Sequence, residues 1–107
     1  MTKIAGREFE VLRMTGGRDI DRAFLSSQAA KITHDEEGNA YSIGEQMMRV
    51  RFYPPLFICA KGDVPTEQEF LDMYAKDVED WMARFEEVNP GYFPTEETEE
   101  DLKKKEA

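Results

Sequence analysis

The chain has 107 residues, 40% of them apolar and 35% charged, and a formal net charge of −9. The negative charge is concentrated in residues 63–107, which carry five Lys/Arg and fifteen Asp/Glu, whereas residues 1–62 carry nine and eight. This acidic half argues against nonspecific binding to nucleic-acid phosphates and to anionic membranes, both of which require clustered Lys and Arg. The length predicts one domain with a modest core.

The N-terminal segment has the pattern of a β-hairpin. Ile4 precedes the turn-prone pair Ala5-Gly6, and in "REFEVLR" Phe9 and Val11 alternate with glutamates. Alternation with a period of two predicts a strand with one solvent-exposed face. The glycines of "TGG" then end the strand.

A helix is predicted over residues 19–31, because Asp19 is a good N-cap residue. Its expected inward face is thin and consists of Ile20, Ala23, Phe24, Ser27 and Ala30. Residues 30–43 then contain the turn "DEEGN". The segments flanking this turn either pair as a short hairpin or simply link two helices, and the sequence does not separate the two.

A second helix is predicted to begin at Ser42, which forms an S-x-x-E capping box with Glu45. The pair Pro54-Pro55 is expected to interrupt it, because a proline disfavours helical geometry in the residue before it. The apolar run "FYPPLFICA" predicts a path through the core. Lys61 and Gly62 are expected to end this helical region.

The stretch 66–90 predicts a strongly amphipathic helical segment. Thr66 and Glu69 form a second capping box, a kink is expected at "YAKD", and "NPGY" ends the segment. Its apolar stripe recurs at helical spacing and consists of Phe70, Tyr74, Val78, Trp81, Phe85 and Val88. We expect Tyr74, Trp81 and Phe85 to lie mostly in the core.

These elements predict a mainly α (α+β) fold. A small N-terminal β-hairpin or strand is followed by a compact bundle of about four helices. The single domain is expected to span residues 1–94. Residues 95–107 are rich in Glu and Lys, and we expect them to form a flexible, disordered tail.

The sequence offers little for catalysis or for metal binding. His34 is the single histidine and Cys59 the single cysteine, so neither an internal disulfide nor a zinc site is expected. The turn "DEEGN" lacks the spacing of a calcium loop, and "TGGRD" lacks the phosphate-loop lysine. We therefore expect a protein that is not an enzyme and has no cofactor. The missing apolar signal stretch and the reduced cysteine favour the cytoplasm.

Three segments together resemble the tail assembly chaperones of long-tailed bacteriophages and prophages: "GREFEVLRMTGGRD", "PLFICAKGDVP" and "DVEDWMARFEEVNP". The resemblance implies a small, acidic, mainly helical protein of the host cytoplasm. Its implied partners are the tape-measure protein, which it keeps soluble, and the tail-tube protein, whose subunits it helps to recruit. A homo-oligomer is a further possibility under this interpretation.

Flexible methionines and partly exposed aromatic residues are the side chains expected to contact a partner. The candidate partner-binding residues are Met47, Met48, Phe52, Tyr53, Tyr92 and Phe93. Two alternative functions stay open from the sequence. One is an acidic inhibitor that mimics nucleic acid and blocks a DNA-binding protein, and the other is a small structural subunit of a phage tail or head.

Overall fold

A computed structural model of the protein describes residues 1–93. Within that range, the chain forms a three-stranded antiparallel sheet and four helices, which confirms the predicted α+β fold class. The strands are β1 (Thr2–Ile4), β2 (Arg7–Val11) and β3 (Ala60–Gly62), and the helices are α1 (Gly16–Lys31), α2 (43–58), α3 (Glu67–Asp72) and α4 (Ala75–Val88). The predicted tail, residues 95–107, lies outside the described residues.

The predicted N-terminal hairpin is confirmed. β1 pairs with β2 so that Ile4 lies opposite Arg7, leaving a two-residue loop. The loop residues Ala5 and Gly6 have φ values of 51° and 77°. Positive φ at both central positions defines the tight turn whose twist matches that of a β-hairpin.

The third strand, β3, was not predicted. It pairs with the edge of β2 that does not contact β1, so β2 is the central strand. Lys61 and Gly62 belong to this strand, so the prediction that they end a helical region is wrong. Gly62 has a φ of 128°, and a Cβ atom there would lie 3.0 Å from the carbonyl oxygen of Glu8. Glycine is therefore required at this position by the close approach of β3 to β2.

Helix α1 begins at Gly16, earlier than predicted, because the Thr15 hydroxyl accepts a hydrogen bond from the Arg18 N–H. Its predicted inward face is wrong, since Ile20 and Phe24 are 72% and 63% exposed. The helix instead packs on α2 through the opposite side, where Ala29 is buried. The packing of α1 against α2, and not the spacing of its own apolar residues, therefore decides which face of α1 is buried.

The loop after α1 combines both predicted alternatives. It links α1 to α2, and it also closes on itself through an antiparallel bridge between His34 and Ala40. The Tyr41 N–H donates to the Thr33 carbonyl oxygen at 3.0 Å.

Helix α2 contains three consecutive segments: α-helical Ile43–Met47, π-helical Met48–Phe52 and α-helical Tyr53–Ile58. The Ser42 capping box is confirmed, but the predicted interruption at Pro54-Pro55 is wrong. The Tyr53 N–H donates to the Met48 carbonyl, five residues back. In an α-helix, a proline ring clashes with the carbonyl group four residues before it. The wider π-helical turn leaves more space for the rings of Pro54 and Pro55.

Helices α3 and α4 are separated by a short non-helical break. The Thr66 capping box begins α3, and the backbone at Met73 and Tyr74 is extended. The predicted kink is thus confirmed, but the predicted burial of Tyr74 is wrong, because its side chain is 83% exposed. Because the extended backbone at the break separates α3 from α4, the predicted series of buried apolar residues in the stretch 66–90 does not include Tyr74.

The core lies between the sheet, α2 and α4. Trp81 and Phe85 are fully buried, as predicted. The Trp81 ring packs against Phe9 of β2, with 5.0 Å between ring centroids, and against Tyr53 of α2. The remaining buried apolar residues of this cluster are Ile4, Val11, Leu56, Cys59, Phe70 and Val78.

Candidate protein-binding surface

A concave apolar surface lies between the first half of α2 and the α3–α4 break. It encloses about 590 Å³, and we call it the apolar groove. Its apolar walls are formed by Met47, Met48, Phe52, Phe70, Leu71, Met73, Ala75 and Val78. Two glutamates, Glu45 and Glu79, also line it.

Local sequence signals position the walls of the groove. The Ser42 capping box fixes the start of α2, which places Met47 and Met48 on one wall. The α3–α4 break places Met73 on the opposite wall, in extended backbone. Methionine side chains are flexible and polarizable, so three of them let one groove adapt to apolar surfaces of varied shape.

Three of the six candidate partner-binding residues come together in this groove. Met47 is 44% exposed, and Met48 and Phe52 are half-buried. Phe52 also contacts Phe93, with 5.4 Å between ring centroids, so the end of the described chain lies beside the groove.

Tyr53 is not available to a partner. Only 7% of its surface is exposed, and its hydroxyl donates to the Pro65 carbonyl oxygen at 2.7 Å. Burial, reinforced by the negative charge of Glu67, raises the pKa of Tyr53 well above its ordinary value. The predicted partial exposure of Tyr53 is therefore wrong, because the π-helical turn directs this ring into the core.

Tyr92 and Phe93 are half-buried and form an aromatic cluster on Phe85 rather than part of the groove. The Tyr92 hydroxyl donates to Asp19 of α1 at 3.2 Å. Burial raises the pKa of Tyr92; the positive charge of Arg22 opposes this rise, and Asp19 adds to it. With Arg22 and Arg51, the two rings line a separate cavity of about 420 Å³.

A second concave surface adjoins the apolar groove, and we call it the acidic cavity. It encloses about 540 Å³ between the β1–β2 turn and the α3–α4 break. Its polar lining is Arg7, Glu69, Asp72, Tyr74 and Asp77. Met73 lines both the acidic cavity and the groove. Sequence patterns gave no sign of this cavity, since it is formed where two distant segments meet.

The single histidine and the single cysteine of the chain line neither surface. His34 is exposed in its loop, with its ring nitrogen 2.9 Å from the Thr33 hydroxyl. Cys59 is buried, and this burial raises the pKa of its thiol. Among residues 1–93, no three His, Cys, Asp or Glu side chains are grouped as metal ligands. Over the same residues, no helix has the length and apolarity to cross a bilayer.

Comparisons with known proteins give no relative for this chain. No family model matches it, and neither the curated proteins nor the solved structures contain a match.

Proposed function

We propose that this protein is a non-catalytic tail assembly chaperone that holds apolar helical segments of a tape-measure protein and helps recruit tail-tube subunits around it. The observation that carries this proposal is the apolar, methionine-rich groove between α2 and the α3–α4 break. The resemblance of the N-terminal and C-terminal segments to that family supplies the identity of the client. The host cytoplasm is the place where such assembly proceeds.

The groove has the properties that a helix-binding chaperone needs. A partner helix lays its apolar face into such a groove, with anchors at positions i, i+3, i+4 and i+7. Met47 and Met48 are already partly exposed, so binding requires no opening of the core. The net charge of −9 keeps a complex with an aggregation-prone client in solution.

The test is co-expression of this chain with a tape-measure protein from a long-tailed phage, with the soluble fraction of that protein as the readout. We expect the chain to raise the soluble fraction and to co-purify with the client. The variant Met47→Glu places a charge in the groove and should weaken client binding about tenfold or more. Because Met47 is on the surface, the variant keeps its fold.

Ile43→Glu is the matched control. Ile43 lies one turn earlier in α2, is 84% exposed and does not line the groove. This variant should bind the client as the wild type does. Equal effects of the two substitutions, or no rescue of the client by the wild type, would show that the proposal is wrong. Salt-sensitive binding to a basic DNA-binding protein, unaffected by Met47→Glu, would favour the acidic inhibitor instead.

A further inference from the structure

The acidic cavity and the apolar groove lie side by side, and Met73 lines both of them. The groove is lined mainly by apolar side chains, and the cavity mainly by polar and charged ones. A bound segment that extends past Met73 must therefore match an apolar lining on one side and a charged lining on the other.

The lining of the acidic cavity has a net negative charge, because it contains three carboxylates and one guanidinium. Arg7, the guanidinium, is paired with Glu69 and with Asp63. Within residues 1–93, Asp72 and Asp77 form no ion pair. Asp72 accepts hydrogen bonds from the neutral side-chain amide of Gln68, at 3.2 and 3.3 Å. The negative charges of both carboxylates are therefore not neutralised by a cation of the described residues.

An exposed aromatic ring stands at the same place. Tyr74 lines the acidic cavity and is 83% exposed. An aromatic face attracts a guanidinium or an ammonium group that lies within about 6 Å of the ring centroid. On the groove side, Glu45 and Glu79 add two further carboxylates to the lining.

We propose that the occupant of this surface is a basic amphipathic segment. Its apolar side chains fill the groove, and a Lys or Arg next to them enters the acidic cavity between Asp72, Asp77 and Tyr74. This inference rests on the proposed function and defines its client more narrowly. Complementary charge speeds association and selects among apolar partners, since a carboxylate brought to the same place meets like charge.

The test uses two designed 18-residue helical peptides with the same leucine face, one flanked by lysines and the other by glutamates. Fluorescence anisotropy measures their dissociation constants for the full chain at low and at physiological salt. We expect the lysine peptide to bind at least about tenfold more tightly than the glutamate peptide, with the preference decreasing as salt rises. Equal affinities would overturn the inference.

A matched pair of double variants separates local from overall charge. Asp72→Asn with Asp77→Asn should reduce the preference for the lysine peptide about fivefold or more. Glu36→Gln with Glu37→Gln removes the same two charges from the loop after α1, and should change it less than about twofold. If the control pair has the same effect as the first pair, attraction is due to net charge and the inference is wrong.

The peptides also distinguish this inference from the proposed function. If both peptides bind with equal affinity, and Met47→Glu weakens both, the groove is a binding site and only the basic specificity is wrong. If neither peptide binds, or if Met47→Glu has no effect on either, the groove itself is not a docking surface and both proposals are wrong. Circular dichroism of each variant confirms that the fold is retained.

Discussion

Asn89 provides the sharpest test of how the two ends of the fold are joined. Its side-chain Oδ1 accepts a hydrogen bond from the Met14 N–H at 2.7 Å, and its Nδ2 donates to the Leu12 carbonyl oxygen at 3.0 Å. One side chain after α4 thus satisfies two backbone groups after β2. Its φ is −128°, so alanine adopts the same backbone without strain.

Asn89→Ala removes both bonds and leaves two partly buried backbone groups without their partner. At about 1 kcal/mol for each net hydrogen bond, we expect the free energy of unfolding to fall by about 2 kcal/mol. For a domain of this size, that loss lowers Tm by about 8–16 °C. Urea denaturation followed by tryptophan fluorescence measures the change, because Trp81 is buried in the same core.

Asn39→Ala is the control for this substitution. Asn39 lies in the exposed loop after α1, and its side chain makes no hydrogen bond to residues 1–93. Its replacement should change the free energy of unfolding by less than about 0.5 kcal/mol. A loss for Asn89→Ala no larger than that of the control would refute the role of the side chain in joining β2 to α4.

Two further predictions concern buried polar groups. Arg49→Lys should lower the free energy of unfolding by about 1.5–3 kcal/mol. Two different guanidinium nitrogens of Arg49 donate to Glu67 and to the Ile32 carbonyl, and the single nitrogen of lysine does not reproduce this forked geometry. Arg51→Lys, at an exposed position in the same helix, is the control in urea denaturation, and equal losses would contradict the prediction. The Cys59 thiol should react with Ellman's reagent at pH 8 only as fast as the protein unfolds, because burial raises the pKa of the thiol and excludes the reagent. Reaction at the rate of a free cysteine would show instead that the thiol is accessible.

Local signals predicted the parts of the fold that local interactions decide. The Ala5-Gly6 turn and the Ser42 and Thr66 capping boxes depend on residues at most three apart, and all three are confirmed. Two of the mispredicted features depend on distant parts of the chain. The inward face of α1 is set by α2, and β3 is recognisable as a strand only through its pairing with β2.

The Pro54-Pro55 pair shows how a sound local rule fails. The rule that proline disfavours a preceding helical residue assumes an α-helical turn. The π-helical segment before the pair changes that turn, and Tyr53 keeps helical angles of −63° and −46°. Nothing in the sequence indicates a π-helical turn, so the continuation of the helix through Pro54-Pro55 was not predicted.

The candidate site was predictable in part. Met47, Met48 and Phe52 were partner-binding candidates because methionines are flexible and because Phe52 was expected to be partly exposed. The opposite wall, from Phe70 to Val78, could not be assigned to the same groove from sequence. Its placement depends on the α3–α4 break and on how α2 crosses it, and neither follows from helical periodicity.

The joining of β2 to α4 has a consequence for synthesis on the ribosome. Phe9 packs on Trp81, the Thr2 hydroxyl contacts Arg84, and Asn89 binds the chain after β2. β1 and β2 can therefore pair with each other early, but their packing against α4 is possible only after α4 has been translated. Contacts of such long sequence separation form slowly, and a nascent chain that stops before Trp81 exposes its N-terminal apolar residues to proteases and holdases.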